Sequence, residues 1–241
     1  MTETKHTLSS FGEALDSLRN QVLKMASRST RSLEQALRGL QERNDDLCLQ
    51  AIADDEEIDQ LEKEIDREGV DLLIRYQPVA SDLRRVVGAM RLSPNLERVA
   101  DEAVSIARRA RKLNRHRPLA EVELIMAMGA HALQMLSDGI DAFTRGDIEQ
   151  GRAVVDRDHA LDAMNRDTAQ QLLERATEDP EELRGYLNLL FIARHLERVG
   201  DHATNIGEEA VYAAVAEDIR HQRPGPGALP GSGIALEHGH D

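Results

Sequence analysis

Apolar residues recur at three- and four-residue steps along nearly the whole chain, the period of helices that bury one face. Phe11, Leu15, Leu18, Val22 and Met25 follow Ser10-Phe11-Gly12-Glu13, which has the Ser-x-x-Glu form of a capping box, and predict a first helix running to about Arg43. Asn44-Asp45-Asp46 is a stop and restart. Leu47, Ile52, Ile58, Leu61, Ile65 and Leu72 then mark a second long helix ending before Pro78. A third opens near Ser81 and carries Leu83, Val86, Val87, Met90, Leu96, Val99, Ala103, Ile106, Ala110 and Leu113. Pro94 lies inside it, where proline removes a hydrogen bond at roughly 3 kcal/mol, so a kink is expected just ahead of Glu97.

The second half repeats the plan. Pro118 is placed near the first turn of a helix through Phe143, and Arg145-Gly146-Asp147 makes a turn in which Asp147 and Gln150 resemble a capping box. A fifth helix runs to about Ala176, after which Asp179-Pro180-Glu181-Glu182 supplies N-cap, N1 proline and acidic first turn for a sixth. Six helices in two antiparallel triples follow. Beyond Arg223 the Pro/Gly-rich stretch through Gly233 cannot sustain a helix, so a disordered tail is expected, and His238 and His240 within it carry no functional weight.

The halves also match residue by residue. Leu96-Glu97-Arg98-Val99-Ala100-Asp101-Glu102-Ala103 returns one hundred residues later as Leu196-Glu197-Arg198-Val199-Gly200-Asp201-His202-Ala203. Ile58-Asp59 is answered by Leu161-Asp162, Asp55 by Asp158, and Leu83-Arg84 by Leu183-Arg184. Solenoid units are about 20–50 residues long, so a repeat this wide reads as two copies of a small domain.

Composition narrows the function. Aromatics are 2% of the 241 residues and Trp is absent, leaving a core of Leu, Val, Ile, Ala and Met that favours helix over sheet. A formal charge of −14 argues against nucleic acid as partner, since that needs a cationic surface. Against this trend, Arg108, Arg109, Arg111, Lys112, Arg115 and Arg117 crowd the end of the third helix. They suit either a solvated helix C-terminus or a docking patch for an acidic partner or membrane surface. The single cysteine, Cys48, excludes an intrachain disulfide and reads as a small core residue. Met1 to Ser10 lack an apolar signal-peptide core, and the longest apolar run, Leu187 to Ala193, is far short of a bilayer span, so a cytoplasmic setting is expected.

In both motifs a Glu and an Asp stand four apart on one helical face beside the apolar stripe. Extended one step, the ladders are Glu97, Asp101, Ser105 and Glu197, Asp201, Asn205, oxygen ligands on successive turns. A single such pair is commonly a salt-bridge partner. Its repetition in the same apolar frame points to bound cations of the hard-to-borderline kind: iron, manganese, magnesium, or zinc with carboxylates and water. Asp59 and Asp162 are candidate further ligands or, equally, solvated acids. His195 and His202, seven apart beside the second motif only, read as partly buried polar residues rather than ligands. A di-iron bundle enzyme needs Glu-x-x-His pairs facing inward, and the only such pair is Glu237 with His240 in the tail. Phosphate-loop, dinucleotide, nucleophile-elbow and HExxH zinc motifs are absent.

The run from Leu196 to Ile206, followed by Glu208-Glu209-Ala210-Val211-Tyr212, resembles the second motif of the PhoU family. Leu96 to Ile106 resembles its first, and Gln77 to Arg84 the segment leading into it, so the likeness spans about residues 5 to 222. It implies an all-α fold of two tandem three-helix bundles related by pseudo-twofold symmetry, over residues 8–115 and 118–221, with a tail at 222–241. It also implies a non-enzymatic cytoplasmic negative regulator of the phosphate-starvation response. Such a protein modulates phosphate uptake through contacts with the ATP-binding subunit of a phosphate ABC transporter and with a phosphate-sensing histidine kinase, reaches the membrane only through those partners, and forms a homodimer. The family's ligand positions carry over to Glu97, Asp101, Glu197 and Asp201, which would hold a multinuclear iron or zinc cluster. Ala100, where glycine is frequent in the family, Ser105 and Pro94 depart from the pattern and make the first site the less certain. A metal-free helical adaptor and a carboxylate-bridged metal enzyme acting on phosphate compounds are the alternatives.

Overall fold

The computed structural model describes residues 2–220, with side chains from residue 10 onward, and among these every regular element is a helix. They are α1 (Thr2–Gln41), α2 (Asp45–Ala53), α3 (Asp55–Tyr76), α4 (Ala80–Leu113), α5 (Val122–Arg145), α6 (Ile148–Glu178) and α7 (Leu183–Val215), with a 3₁₀ turn at Pro180–Glu182. The Pro/Gly-rich tail expected at 222–241 lies outside the described residues. The first triple is α1, α2/α3 and α4; the second is α5, α6 and α7.

Most boundaries follow from local chemistry. Asn44 caps α2, its side-chain oxygen accepting from the N–H groups of Asp46 (2.9 Å) and Leu47 (3.3 Å). Gly146 ends α5 in the left-handed region (φ 68°), and Asp147 caps α6 by accepting from the Gln150 N–H at 3.0 Å. Only half of that capping box forms, because the Gln150 amide turns to Asp138 instead.

The structure corrects four expectations. Helix α1 begins at Thr2, so Ser10 is interior to it rather than its cap. The second long helix is interrupted at Asp54, which stays in the right-handed region; its N–H bonds the Gln50 carbonyl while the Ile58 N–H bonds its own carbonyl. Asp54 there pairs with Arg31 of α1 at 3.0 Å, at the head of four successive acids. Pro118 precedes α5 by four residues instead of starting it. Finally, Asp179 opens a 3₁₀ turn and makes no side-chain cap; its carboxylate pairs with Arg117.

Pro94 does not break α4, which is helical from end to end. Proline leaves the Met90 carbonyl without its partner, and the buried Ser93 hydroxyl donates to that carbonyl at 3.4 Å. One residue on, the Asn95 amide donates to the Arg91 carbonyl at 3.1 Å. Side chains next to the proline thus serve the carbonyls it disturbs.

Helices α4 and α7 are central. Each packs on the other helices of its own triple, and they pack on each other antiparallel, with α1 also touching α5. Residues 91–100 and 191–200 have the same sequence of buried and exposed positions, with Leu96, Val99 and Ala100 answered by Leu196, Val199 and Gly200. The contacts across α4 and α7 are themselves paired at the hundred-residue offset. Glu102 with His195 is matched by His202 with Asn95, and Arg91 with Glu209 by Phe191 with Arg109. That is the contact pattern of a pseudo-twofold axis passing between the two helices.

Candidate functional site

The first ladder faces α3. Glu97 and Asp101 of α4 lie in the field of Asp55, Asp59 and Glu62, all from α3. Burial, then Asp101, and more weakly Glu62 and Asp59, push the Glu97 carboxyl up to about 7 against the opposing pull of Arg98. Burial, Asp101 and Asp59 likewise raise Asp55. Arg98 is the local counter-charge, 3.4 Å from Glu97 and 3.2 Å from Asp101.

The second ladder has the same backbone setting and a different charge balance. Arg198, the counterpart of Arg98, reaches across to Glu102 of α4 at 3.4 Å. Glu197 is left with Arg194 at 3.9 Å, and its Oε2 is buried without a hydrogen-bond partner. Beside it, buried Asp158 of α6 approaches Gly200, while Asp201 is exposed and Asp162 half-buried.

The Glu and Asp of each ladder fit a hard cation in donor type, both being carboxylates, and in charge, since Glu97 is held against its neighbours' repulsion and Glu197 Oε2 is buried without a hydrogen bond. Among the described residues, however, no three His, Cys, Asp or Glu side chains converge into a metal-holding group. The ladders therefore offer donors of the right kind without a preformed cage.

Sequence reasoning missed the seam between the ladders. Along α4 and α7, Asn95, Glu102 and Arg109 meet Asn188, His195 and His202, and Arg91 meets Glu209, so that polar residues recur at seven-residue spacing along the interface. That spacing was the available signal. Glu102 Oε2 lies 2.5 Å from His195 Nδ1, and Arg109 reaches His195 Nε2 and Asn188 Oδ1 at 3.4 Å while stacking on Phe191. Burial alone would raise the Glu102 carboxyl, but the bonds from His195 and Arg198 outweigh it and hold it below the ordinary range. Burial lowers His202, which bonds Asn95 at 3.3 Å. Both histidines are thus structural partners in the seam.

Part of the basic run after the first motif is paired within the fold. Arg111 faces Asp45 at 3.6 Å, and Arg117 grips Asp179 and Glu182, tying the α4–α5 connection to the start of α7. Cys48 is buried, and burial followed by the charge of Asp45 pushes its thiol up to about 11, so it is an unreactive core residue.

Two helical triples joined through their motif-bearing central helices, each with a carboxylate ladder beside the joint, define a duplicated all-helical bundle protein in which no described helix is long and apolar enough to cross a membrane. The family model described as the PhoU domain matches the chain twice, over residues 22–110 and 125–210. The chain belongs to the PhoU family. It is 34% identical over 222 residues to the phosphate-specific transport system accessory protein PhoU homolog of Caulobacter vibrioides, covering 92% of this chain and 96% of that protein. To the phosphate-specific transport system accessory protein PhoU of Escherichia coli K12 it is 33% identical, covering 90% of each. The crystal structure of PhoU from Pseudomonas aeruginosa superimposes with a TM-score of 0.82 at 32% identity, covering 86% of this chain and all of that one. PhoU from Streptococcus pneumoniae gives 0.79 at 27%, covering 86% and 98%.

Proposed function

We propose that this chain is an accessory regulator of phosphate-specific transport that restrains the phosphate-starvation response when phosphate is plentiful. It acts from the cytoplasm by protein contacts, with the transporter's ATP-binding subunit and a phosphate-sensing histidine kinase as partners, and not as an enzyme. The observation that carries this reading is the match over about nine-tenths of both chains to proteins named as accessories of that transport system. A homodimer of two-repeat subunits, with repeats over 8–115 and 118–221, is part of the proposal. A strain lacking the chain should express starvation genes in phosphate-rich medium and return to normal when the gene is restored. Unchanged expression would overturn the regulatory role, and failure to co-purify with the ATP-binding subunit or the kinase would remove that partner.

Within this reading, Glu97 and Asp101, and Glu197 and Asp201, hold iron or zinc, with Asp59 and Asp162 as candidate further ligands. A bound cation there supplies charge neutralisation. The chain's own residues supply the rest: Arg98 and Arg194 moderate the ladders, and the α4–α7 seam holds them in fixed relation. Signalling requires the metal-loaded and metal-free forms to differ in affinity for a partner, since equal affinity shifts no equilibrium. Elemental analysis of untagged protein against a Glu197→Ala, Asp201→Ala double variant tests it, the expected result being iron or zinc that falls by about half.

The metal-free adaptor is the second reading, favoured by Arg98, which already pairs with both carboxylates of the first ladder. Absence of metal from both proteins would select it.

A further inference from the structure

Away from both ladders, a cavity of roughly 470 Å³ opens where the N-terminal half of α1, the start of α4, the α5–α6 corner and the last turns of α7 come together. Small side chains make the room: Ala89 and Ala210 are buried in its floor, and Ala213 and Ala214 line its side. Across the pseudo-twofold axis the equivalent corner is bridged by side chains. There Arg43 donates to the carbonyls of Asn114 and His116, and buried Leu119 of the α4–α5 connection sits against Gly185. In the chain after α7, Ile219 is buried one hundred residues after Leu119. Yet α1 spans 40 residues against 24 for α5, and its additional N-terminal turns, which carry Leu15, Asp16 and Leu18, form part of the cavity wall. The cavity is therefore a place where the duplicated fold departs from its own symmetry.

Its charge also departs from that of the chain. In a protein of net charge −14, the ionisable residues lining this cavity, among the described residues, are Arg19, Arg85 and Arg145 against the single acid Asp16. None of the three is locked in a buried pair. Arg19 donates to the Thr144 carbonyl at 3.3 Å, and Arg85 and Arg145 have only exposed neighbours along their own helices, Asp82 at 3.4 Å and Asp141 at 3.6 Å. Exposed pairs of this kind are weak, so the guanidinium groups can exchange them for a ligand that offers a carboxylate-like head. Beneath them Leu15, Val22 and Phe143 present apolar surface. Volumes of about 300–1,000 Å³ with an apolar lining and a few convergent polar groups are typical of small-molecule sites.

We propose that this cleft binds a small organic anion, its acidic head among Arg19, Arg85 and Arg145 and a short apolar body on the floor. The probe is octanoate, titrated into the full chain and followed by amide chemical shifts, with acetate as the head alone and 1-octanol as the body alone. Octanoate should shift the amides around Ala89, Phe143 and Ala213 saturably and bind at least tenfold more tightly than either fragment. Arg19→Gln with Arg85→Gln should weaken it at least fivefold. Ala89→Leu should fill the floor and abolish binding; if that variant fails to fold, Ala213→Leu at the less buried wall makes the same test. Shifts centred elsewhere, affinity no better than either fragment, or variants that bind as the wild type does would each overturn the proposal.

Discussion

His195 and Glu102 meet across the two central helices with Nδ1 and Oε2 2.5 Å apart, both side chains almost out of solvent at 15% and 11% exposure. Ninety-three residues separate them in sequence, so this contact fastens one repeat to the other. Its pseudo-symmetric mate, His202 with Asn95, has no carboxylate and is longer at 3.3 Å. Ion pairs thus stand on both sides of the axis, Glu102 with His195 and Arg198 on one and Arg91 with Glu209 at 3.6 Å on the other.

Removing that carboxylate should be expensive. Glu102→Ala leaves His195 and Arg198 without their acceptor and is expected to cost about 3 kcal/mol, the low end for a broken buried pair because Arg198 reaches solvent. The effect has a sign in pH. Because the folded-state pKa of Glu102 is below that of the unfolded chain, its contribution is present above the ordinary glutamate range and disappears as pH falls through the folded value. Urea titrations should therefore show the gap between wild type and Glu102→Gln at pH 7 closing in acid; a gap independent of pH would contradict the assignment.

Close packing of α6 on α7 gives a second prediction. A Cβ on Gly151 would meet the Gly207 carbonyl at 2.9 Å, and one on Gly207 would meet the Gly151 carbonyl at 2.8 Å, so two backbones touch where neither can retreat. Gly151→Ala gains up to ~1 kcal/mol of helix propensity. Overpacking against backbone outweighs it, and a net loss of about 1–2 kcal/mol is expected in urea unfolding. A stabilised variant would show that the helices can separate.

The long helices and the duplicated motif were legible because they depend on periodicity and on local capping chemistry, as at Asn44 and Gly146. The interruption at Asp54 was not, because it accompanies an ion pair with Arg31 on another helix. Nor was the difference between the ladders. Arg98 and Arg198 stand in identical local sequence, Leu-Glu-Arg-Val, yet Arg98 pairs with Glu97 and Asp101 while Arg198 reaches Glu102 across the seam, a partner that local sequence does not reveal. The basic run was legible as charge, but its partners Asp45, Asp179 and Glu182 come from distant segments.

Continuity of α4 through Pro94 predicts an energetic coupling between neighbours. In the wild type, Ser93→Ala strips the Met90 carbonyl of its only side-chain donor and should cost about 1 kcal/mol. With Pro94→Ala in place the backbone N–H returns to that carbonyl and the hydroxyl becomes redundant. A double-mutant cycle should therefore give a coupling of about 1 kcal/mol, and strict additivity would show that the hydroxyl does not serve the carbonyl.

Glu97 predicts the opposite pH dependence to Glu102. Its carboxyl titrates at about 7 in the folded protein, above the ordinary glutamate value of about 4.3, because burial and Asp101 disfavour its charge. Over that interval the folded state holds the extra proton, so stability falls as pH rises from about 4.5 to 7 and stays low above it. Glu97→Gln removes the charge without changing shape and should raise the melting temperature of metal-free protein at pH 8, with little effect at pH 5, where wild-type Glu97 is already protonated. Added iron(II) or zinc reverses the ranking if the ladder is a cation site, because the ion neutralises the repulsion only where the carboxylate remains: wild type should gain more than the variant at pH 8. Equal gains would place the bound ion away from Glu97.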